Sequence, residues 1–196
     1  MVVMDLALRT FDRVEAIYMY LVPGLEQVEV QIEECRRRWG VKVNQYPHIT
    51  AAQAMKYGLY CDLATKHQQL PEWTLTEIYE LAMADTKTEV ILTGSKMSDN
   101  PWRRRRMARK TKLDYAMHYP LAEWLKMDVL SYLKRRKIEL PQSDGRTATG
   151  VDLSVAFLTW CAKVWPQDFL KICEYFPYAE VVVWHEKFFP EMIGVK

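Results

Sequence analysis

The stretch RVEAIYMYLVPGLEQVEVQIEECRRRWGVKVNQY, residues 13–46, decides the fold class. Residues 13–22 are rich in β-branched and aromatic side chains that favour a buried strand, and Pro23-Gly24 stops it. The period then changes. Leu25, Val28, Ile32, Cys35 and Trp39 recur at spacings of 3, 4, 3 and 4, with Glu, Gln and Arg between them, which is the apolar stripe of a helix. Glu26 and Glu29 fall in the first turns, Arg36, Arg37 and Arg38 in the last, and Gly40 follows as a stop. Each placement suits the helix macrodipole and its caps. VKVNQY, 41–46, is the next strand candidate. Strand, helix and strand in that order argue for an α/β domain with a mostly parallel sheet and flanking helices.

The same alternation continues outward. Residues 2–11 read as a short helix, 50–67 as a weakly patterned one, and 75–84 as a helix leading into a strand at 89–93. LDYAMHYPL, 113–121, is a strand or extended piece, and a helix over 127–137 buries Val129, Leu130 and Leu133. PQSDGRTATG, 141–150, is polar and rich in turn residues, so it is the clearest loop. It introduces helices at 153–164 and 166–175, with Pro166 suited to a first helical position. VVVWHEKFF, 181–189, carries both β-branched residues and a 3–4 spacing, and stays open between strand and helix. The expected organisation is an α/β domain over 1–140 with a helical extension over 141–196 packed on it.

Composition sets the outer bounds. With 196 residues, 49% hydrophobic and 12% aromatic, the chain can bury a core of one domain or of one domain with an appendage. A net charge of +2 argues against a protein that coats nucleic acid without specificity. Cys35, Cys61, Cys161 and Cys173 form no CxxC pair, and His48, His67, His118 and His185 show no HxxxH or HxH spacing, so no metal site is expected. The cysteines read as small buried hydrophobes in a reducing cytoplasm. No apolar run approaches the roughly 20 residues of a membrane span. At the N-terminus Asp5 is acidic and the basic residues follow the apolar part, the wrong order for a signal peptide. The expectation is a soluble, cytoplasmic protein with no membrane partner.

The chemistry concentrates in TGSKMSDNPWRRRRMARKTK, 93–112, with seven basic residues between Arg103 and Lys112. Three readings compete: a nucleic-acid contact, a phosphate or sulfate cradle, and a solvated basic face. Ligands of parallel sheets sit outside the carboxyl ends of the strands, and this run starts at such an end, which favours the cradle. Arginine suits that task because its planar fork pairs two phosphate or sulfate oxygens at once. Two of Arg103 to Arg106 are expected to point inward and the rest to solvent. Trp102 either stacks on a base or anchors the loop. Gly24 either lets the backbone approach a ligand or simply makes its turn, the turn being the safer explanation. Asp99 and Glu26 are the carboxylates near this edge, and neither shows a partner for acid–base work. Asp128 belongs in the first turn of its helix, and Trp124, Tyr132, Trp160 and Trp165 in the core or an interface.

Several of these pieces together resemble the phosphoadenosine phosphosulfate reductase-like family, a branch of the PP-loop adenine nucleotide alpha hydrolase-like proteins. The family's strand–DTGLE–helix is similar to LVPGLEQVE here, with Gly24, Leu25 and Glu26 kept. Its G-x-R and Arg-rich anion loop resembles Gly94-Ser95-Lys96 and Arg103 to Arg106. Its P-L-x-x-W-x-x-x-D-V-x-x-Y segment is matched by Pro120, Leu121, Trp124, Asp128, Val129 and Tyr132. FPYAEVVVW, 176–184, is similar to a subset with phage and DNA-sulfur-modification relatives. The resemblance covers most of 21–184.

It implies an adenylyl nucleotide or sulfonucleotide ligand, ATP or phosphoadenosine phosphosulfate, used in sulfur transfer or nucleotide-dependent modification. The implied contacts are Gly24, Gly94, Lys96, Arg103, Arg104 and Arg105. The alternative is a non-catalytic binding module that contacts nucleic acid or a partner protein through the basic run. Two family motifs are missing: the SGGKDS nucleotide loop with its central strand, and the C-terminal cysteine motif. Sulfonucleotide reduction by this chain alone is therefore not expected. A missing central strand leaves its neighbours' backbone groups unpaired at about 1–3 kcal/mol each. The expectation is that an upstream segment, another strand, a second copy or a partner chain fills the gap.

Overall fold

Residues 13–46 fold largely as their periodicity predicts. Strand β1 (Ala16–Tyr20) runs through the turn at Pro23-Gly24 into helix α2 (Glu26–Trp39), which returns to strand β2 (Val43–Pro47); helix α1 (Val2–Ala7) precedes them. Gly40 ends α2 in the left-handed region at φ 65°, and its N–H donates to the Arg36 carbonyl at 2.8 Å. That is the conformation glycine takes at least cost. β1 and β2 pair, and the His48 N–H donates to the Tyr20 carbonyl at 2.8 Å. The two strand ends that meet are both carboxyl ends, so the pair is parallel, as a helical crossover requires.

The computed structural model describes residues 1–63, 69–108, 116–139 and 151–188. It divides into two compact units that interleave in sequence: Met1–Ala16 with Leu75–Leu140, and Ile17–Thr74 with Pro141–Lys196. The expected loop at 141–150, His67, and the basic residues Arg109, Lys110 and Lys112 lie outside the described residues.

The first unit holds α1, helix α4 (Leu75–Thr86), strand β3 (Ile91–Leu92), helix α5 (Pro101–Ala108), strand β4 (Met117–His118) and helix α6 (Lys126–Arg136). β3 and β4 pair in parallel, with Ile91 opposite Met117 and Leu92 opposite His118. Its buried apolar residues include Val2, Ile78, Ala82, Ile91, Met117, Leu121, Tyr132 and Leu133. α1 and α6 are tied by a polar cluster around the buried Asp5. The Asp5 carboxylate accepts the Tyr132 hydroxyl at 2.6 Å and the Arg136 guanidinium at 3.0 and 3.2 Å. Burial alone would raise the Asp5 carboxyl, but these hydrogen bonds outweigh it and hold the group below the usual carboxylate range. Asp128 takes its expected place, accepting the Leu125 N–H at 2.7 Å to cap α6. Tyr132 is buried against Trp124, ring centroids 5.6 Å apart.

The second unit holds β1, α2, β2 and helices α3 (Ile49–Lys56), α7 (Val155–Val164), α8 (Pro166–Tyr175) and α9 (Ala179–Phe188). Its core joins Val22, Leu25 and Val28 to Phe157, Leu158, Cys161, Ile172, Phe176 and Ala179. The helix expected over 50–67 stops at Lys56, because Tyr57 and Gly58 turn the chain away, Gly58 at φ 69°. VVVWHEKFF resolves as helix through Phe188: packing of Ala179 and Val183 on the core overrides the β-branched composition. Pro166 opens α8 as expected. The described fold is α/β, with short parallel strands and a helical C-terminal region.

Candidate functional site

The candidate site starts where β3 ends. Thr93 closes the ladder by donating its N–H to the His118 carbonyl at 3.1 Å, and the chain then turns through Gly94, Ser95 and Lys96. The Ser95 hydroxyl lies 3.2 Å from that of Thr93. Further on, the Met97 N–H donates to the Ala122 carbonyl at 2.8 Å and the Ser98 hydroxyl to the Trp124 carbonyl at 3.1 Å. These bonds pin the loop at the carboxyl end of a parallel pair, the edge where such sheets place ligands.

Asp99 organises the cations of this loop. Its carboxylate accepts the Lys96 ammonium at 2.7 Å, the Lys96 N–H at 3.0 Å and the Arg103 guanidinium at 2.5 Å. Burial pushes its carboxyl up, but the bonds from Lys96 and Arg103 prevail and hold it below the usual range. Asn100 caps α5 by accepting the Arg103 N–H at 2.8 Å. Lys96 and Arg103 thus come within reach of one carboxylate, and together the three groups carry one net positive charge. The sequence pattern could have shown this, because Lys96, Asp99 and Arg103 are spaced by 3 and 4 residues.

The other arginines behave differently. Every residue of α5 is exposed or half-exposed, including Arg104, Arg105 and Arg106. The Arg105 guanidinium sits 5.6 Å from the Trp102 ring centroid, and Trp102 itself is 76% exposed. That geometry is a cation–π contact on the surface, worth about 0.5–1 kcal/mol. Gly94 is not forced by its surroundings: a Cβ there would meet the Val3 side chain at an ordinary 3.6 Å.

Gly24 belongs to the second unit. It adopts φ 65°, so its turn requires glycine. The N–H groups of Glu26 and Gln27 that follow it donate to the Asp168 carboxylate at 2.7 and 2.9 Å. The Lys171 ammonium donates to the Gly24 carbonyl at 2.7 Å. The amino end of α2, a natural anion seat, is therefore filled by a carboxylate of the chain itself. Nothing local in the sequence links Asp168 to the start of α2, 142 residues from it.

None of the four thiols is activated. Burial pushes Cys35, Cys61 and Cys173 above the ordinary cysteine value, and pushes Cys161 up to about 12 with help from the nearby Asp168. The thiolate is the form that attacks or ligates, and burial makes it scarcer at neutral pH. Among the described residues, no group of three or more His, Cys, Asp or Glu side chains could hold a metal ion, and no helix is long and apolar enough to cross a membrane. The first unit's loop gathers the Lys96 ammonium and the forks of Arg103 and its neighbours, groups whose chemistry suits an anion.

No curated protein and no solved structure matches the sequence. One family model does. It describes the phosphoadenosine phosphosulfate reductase domain, and it matches residues 1–142.

Proposed function

Because the chain belongs to the phosphoadenosine phosphosulfate reductase domain family, we propose that it binds an adenylyl nucleotide or sulfonucleotide and serves sulfur transfer or a nucleotide-dependent modification. The observation that supports this reading is the loop after β3, where Lys96 and Arg103 converge on Asp99 at the ligand edge. In the proposed complex Lys96 with Arg103 takes the phosphate or sulfate end beside Gly94. Arg104 and Arg105, exposed on α5, add positive charge beside them. Gly24 sets the turn before α2, whose first amides stay with Asp168. The raised thiols speak against any of the four cysteines attacking a sulfonucleotide.

A thermal-shift panel of ATP, ADP, phosphoadenosine phosphosulfate and phosphoadenosine phosphate tests the reading. A ligand present at 100 times its Kd stabilises by about 2.7 kcal/mol, a shift of several degrees. An unchanged melting temperature across the panel at millimolar concentrations would count against nucleotide binding.

A second reading rests on Trp102. An exposed indole carrying an arginine on its face is a stacking platform for an unpaired base, so α5 can contact single-stranded nucleic acid. Binding through about three phosphates would give a log–log salt slope near −2. A Trp102→Ala loss of oligonucleotide binding, with nucleotide shifts absent, would favour this second reading over the first.

A further inference from the structure

Helix α9 has a second apolar side. Ala179 and Val183 face the core, while Val181, Trp184 and Phe188 project from the opposite side at spacings of 3 and 4. They are 58%, 53% and 54% exposed, and the Trp184 and Phe188 ring centroids lie 5.0 Å apart. Tyr178 extends the patch. Its N–H donates to the Tyr60 carbonyl at 2.8 Å and its hydroxyl to Asp62. An apolar cavity of about 350 Å³ opens there, lined by Tyr60, Tyr178, Val181, Val182 and His185.

Charge decides what fits this stripe. Glu180 and Lys187, both exposed, lie on the same flank of it and seven residues apart, with the Lys187 ammonium 5.3 Å from the Phe188 ring centroid. We propose that α9 is a self-association surface, on which the α9 of a second copy of this chain packs antiparallel about a twofold axis. A twofold axis perpendicular to both helices sets each flank against itself with its direction reversed. Glu180 then meets the second copy's Lys187, and the exchange occurs twice, as an isologous interface demands. A parallel pairing would set that flank against the side of Tyr178 and His185 and lose both ion pairs. The cavity offers room for an aromatic ring from the facing helix.

The helix has ten residues, about 15 Å of contact, so the patch is smaller than the roughly 800 Å² per partner of stable complexes. The dimer is accordingly weak, with a dissociation constant in the micromolar range or above. The self-association does not depend on the proposed ligand and is measured without it.

Sedimentation velocity across about 5 to 500 µM at low salt brackets such a constant. The expected result is a reversible monomer–dimer equilibrium. Glu180→Lys and Lys187→Glu singly turn both ion pairs into like-charge contacts and weaken it about tenfold. The double variant restores the two pairs and returns the constant to within about threefold of the original. All substituted groups are solvent-exposed, so circular dichroism should report an unchanged fold. A chain that stays monomeric throughout the range overturns the proposal. So does a dimer that ignores the single reversals, or one that the double reversal fails to rescue.

Discussion

Replacing Asp168 by alanine removes the one carboxylate that holds the start of α2. The side chain is 4% exposed and accepts the Glu26 and Gln27 N–H groups at 2.7 and 2.9 Å. Alanine leaves those donors without a partner, at about 1–3 kcal/mol for each one that water does not reach. The Gln27 amide is buried and the Glu26 amide only partly so, which puts the total near 3 kcal/mol. Helix-cap replacements reach about 2 kcal/mol, so this value lies just above their upper end. For a chain of this size, 3 kcal/mol corresponds to a fall in Tm of about 6–12 °C. Asp168→Asn keeps one acceptor oxygen but turns an amide N–H₂ toward a donor, and should fall between wild type and alanine. The assay is thermal unfolding by circular dichroism with hydrogen exchange at residues 26–28. A Tm within about 2 °C of wild type, with unchanged exchange at those amides, would refute the claim that Asp168 anchors α2.

Acid should weaken the first unit through Asp5 and Asp99. Both carboxyls sit below their unfolded value, so their stabilisation is complete above about pH 5 and drains away as pH falls through the folded values. Asp5→Asn should lower stability at pH 7 and flatten the acid limb of a Tm–pH profile; an unaltered limb would exclude Asp5 as a contributor. The thiols should resist alkylation: Cys161 should react with iodoacetamide at neutral pH only as fast as the native protein opens, and rapid labelling followed by mass spectrometry would contradict its burial.

Local signals made the α/β framework legible. α2 was readable because its stripe, its terminal charges and Gly40 all lie within one short segment, and tertiary packing had only to accept them. α9 was not, since VVVW fits a strand or a helix equally until Ala179 and Val183 find the core. The extended piece ending in YPL kept only Met117 and His118 as strand among the described residues, because pairing partners, not propensity, set its length.

The candidate site divides in the same way. The basic run announced positive charge, and its place after β3 followed from the alternation of elements. The run could not show how the charges were spent. Lys96 and Arg103 share Asp99, Arg105 lies against Trp102, and Arg104 is left on the surface. Local spacing encodes the Asp99 cluster, so that part was recoverable. The Asp168 contact with α2 and the Asp5–Tyr132–Arg136 cluster join residues more than a hundred positions apart, and no local pattern carries them.

Nucleotide binding at the Lys96–Arg103 loop is best measured by isothermal titration of phosphoadenosine phosphosulfate and ATP into the wild type and into Lys96→Ala/Arg103→Ala. The expected result is saturable binding to the wild type, weakened by at least about thirtyfold in the double variant, as the loss of two charge-assisted contacts requires. Circular dichroism should show the variant folded. Equal affinity in both proteins, or no heat of binding from either nucleotide, would contradict the assignment of this loop as the anion seat.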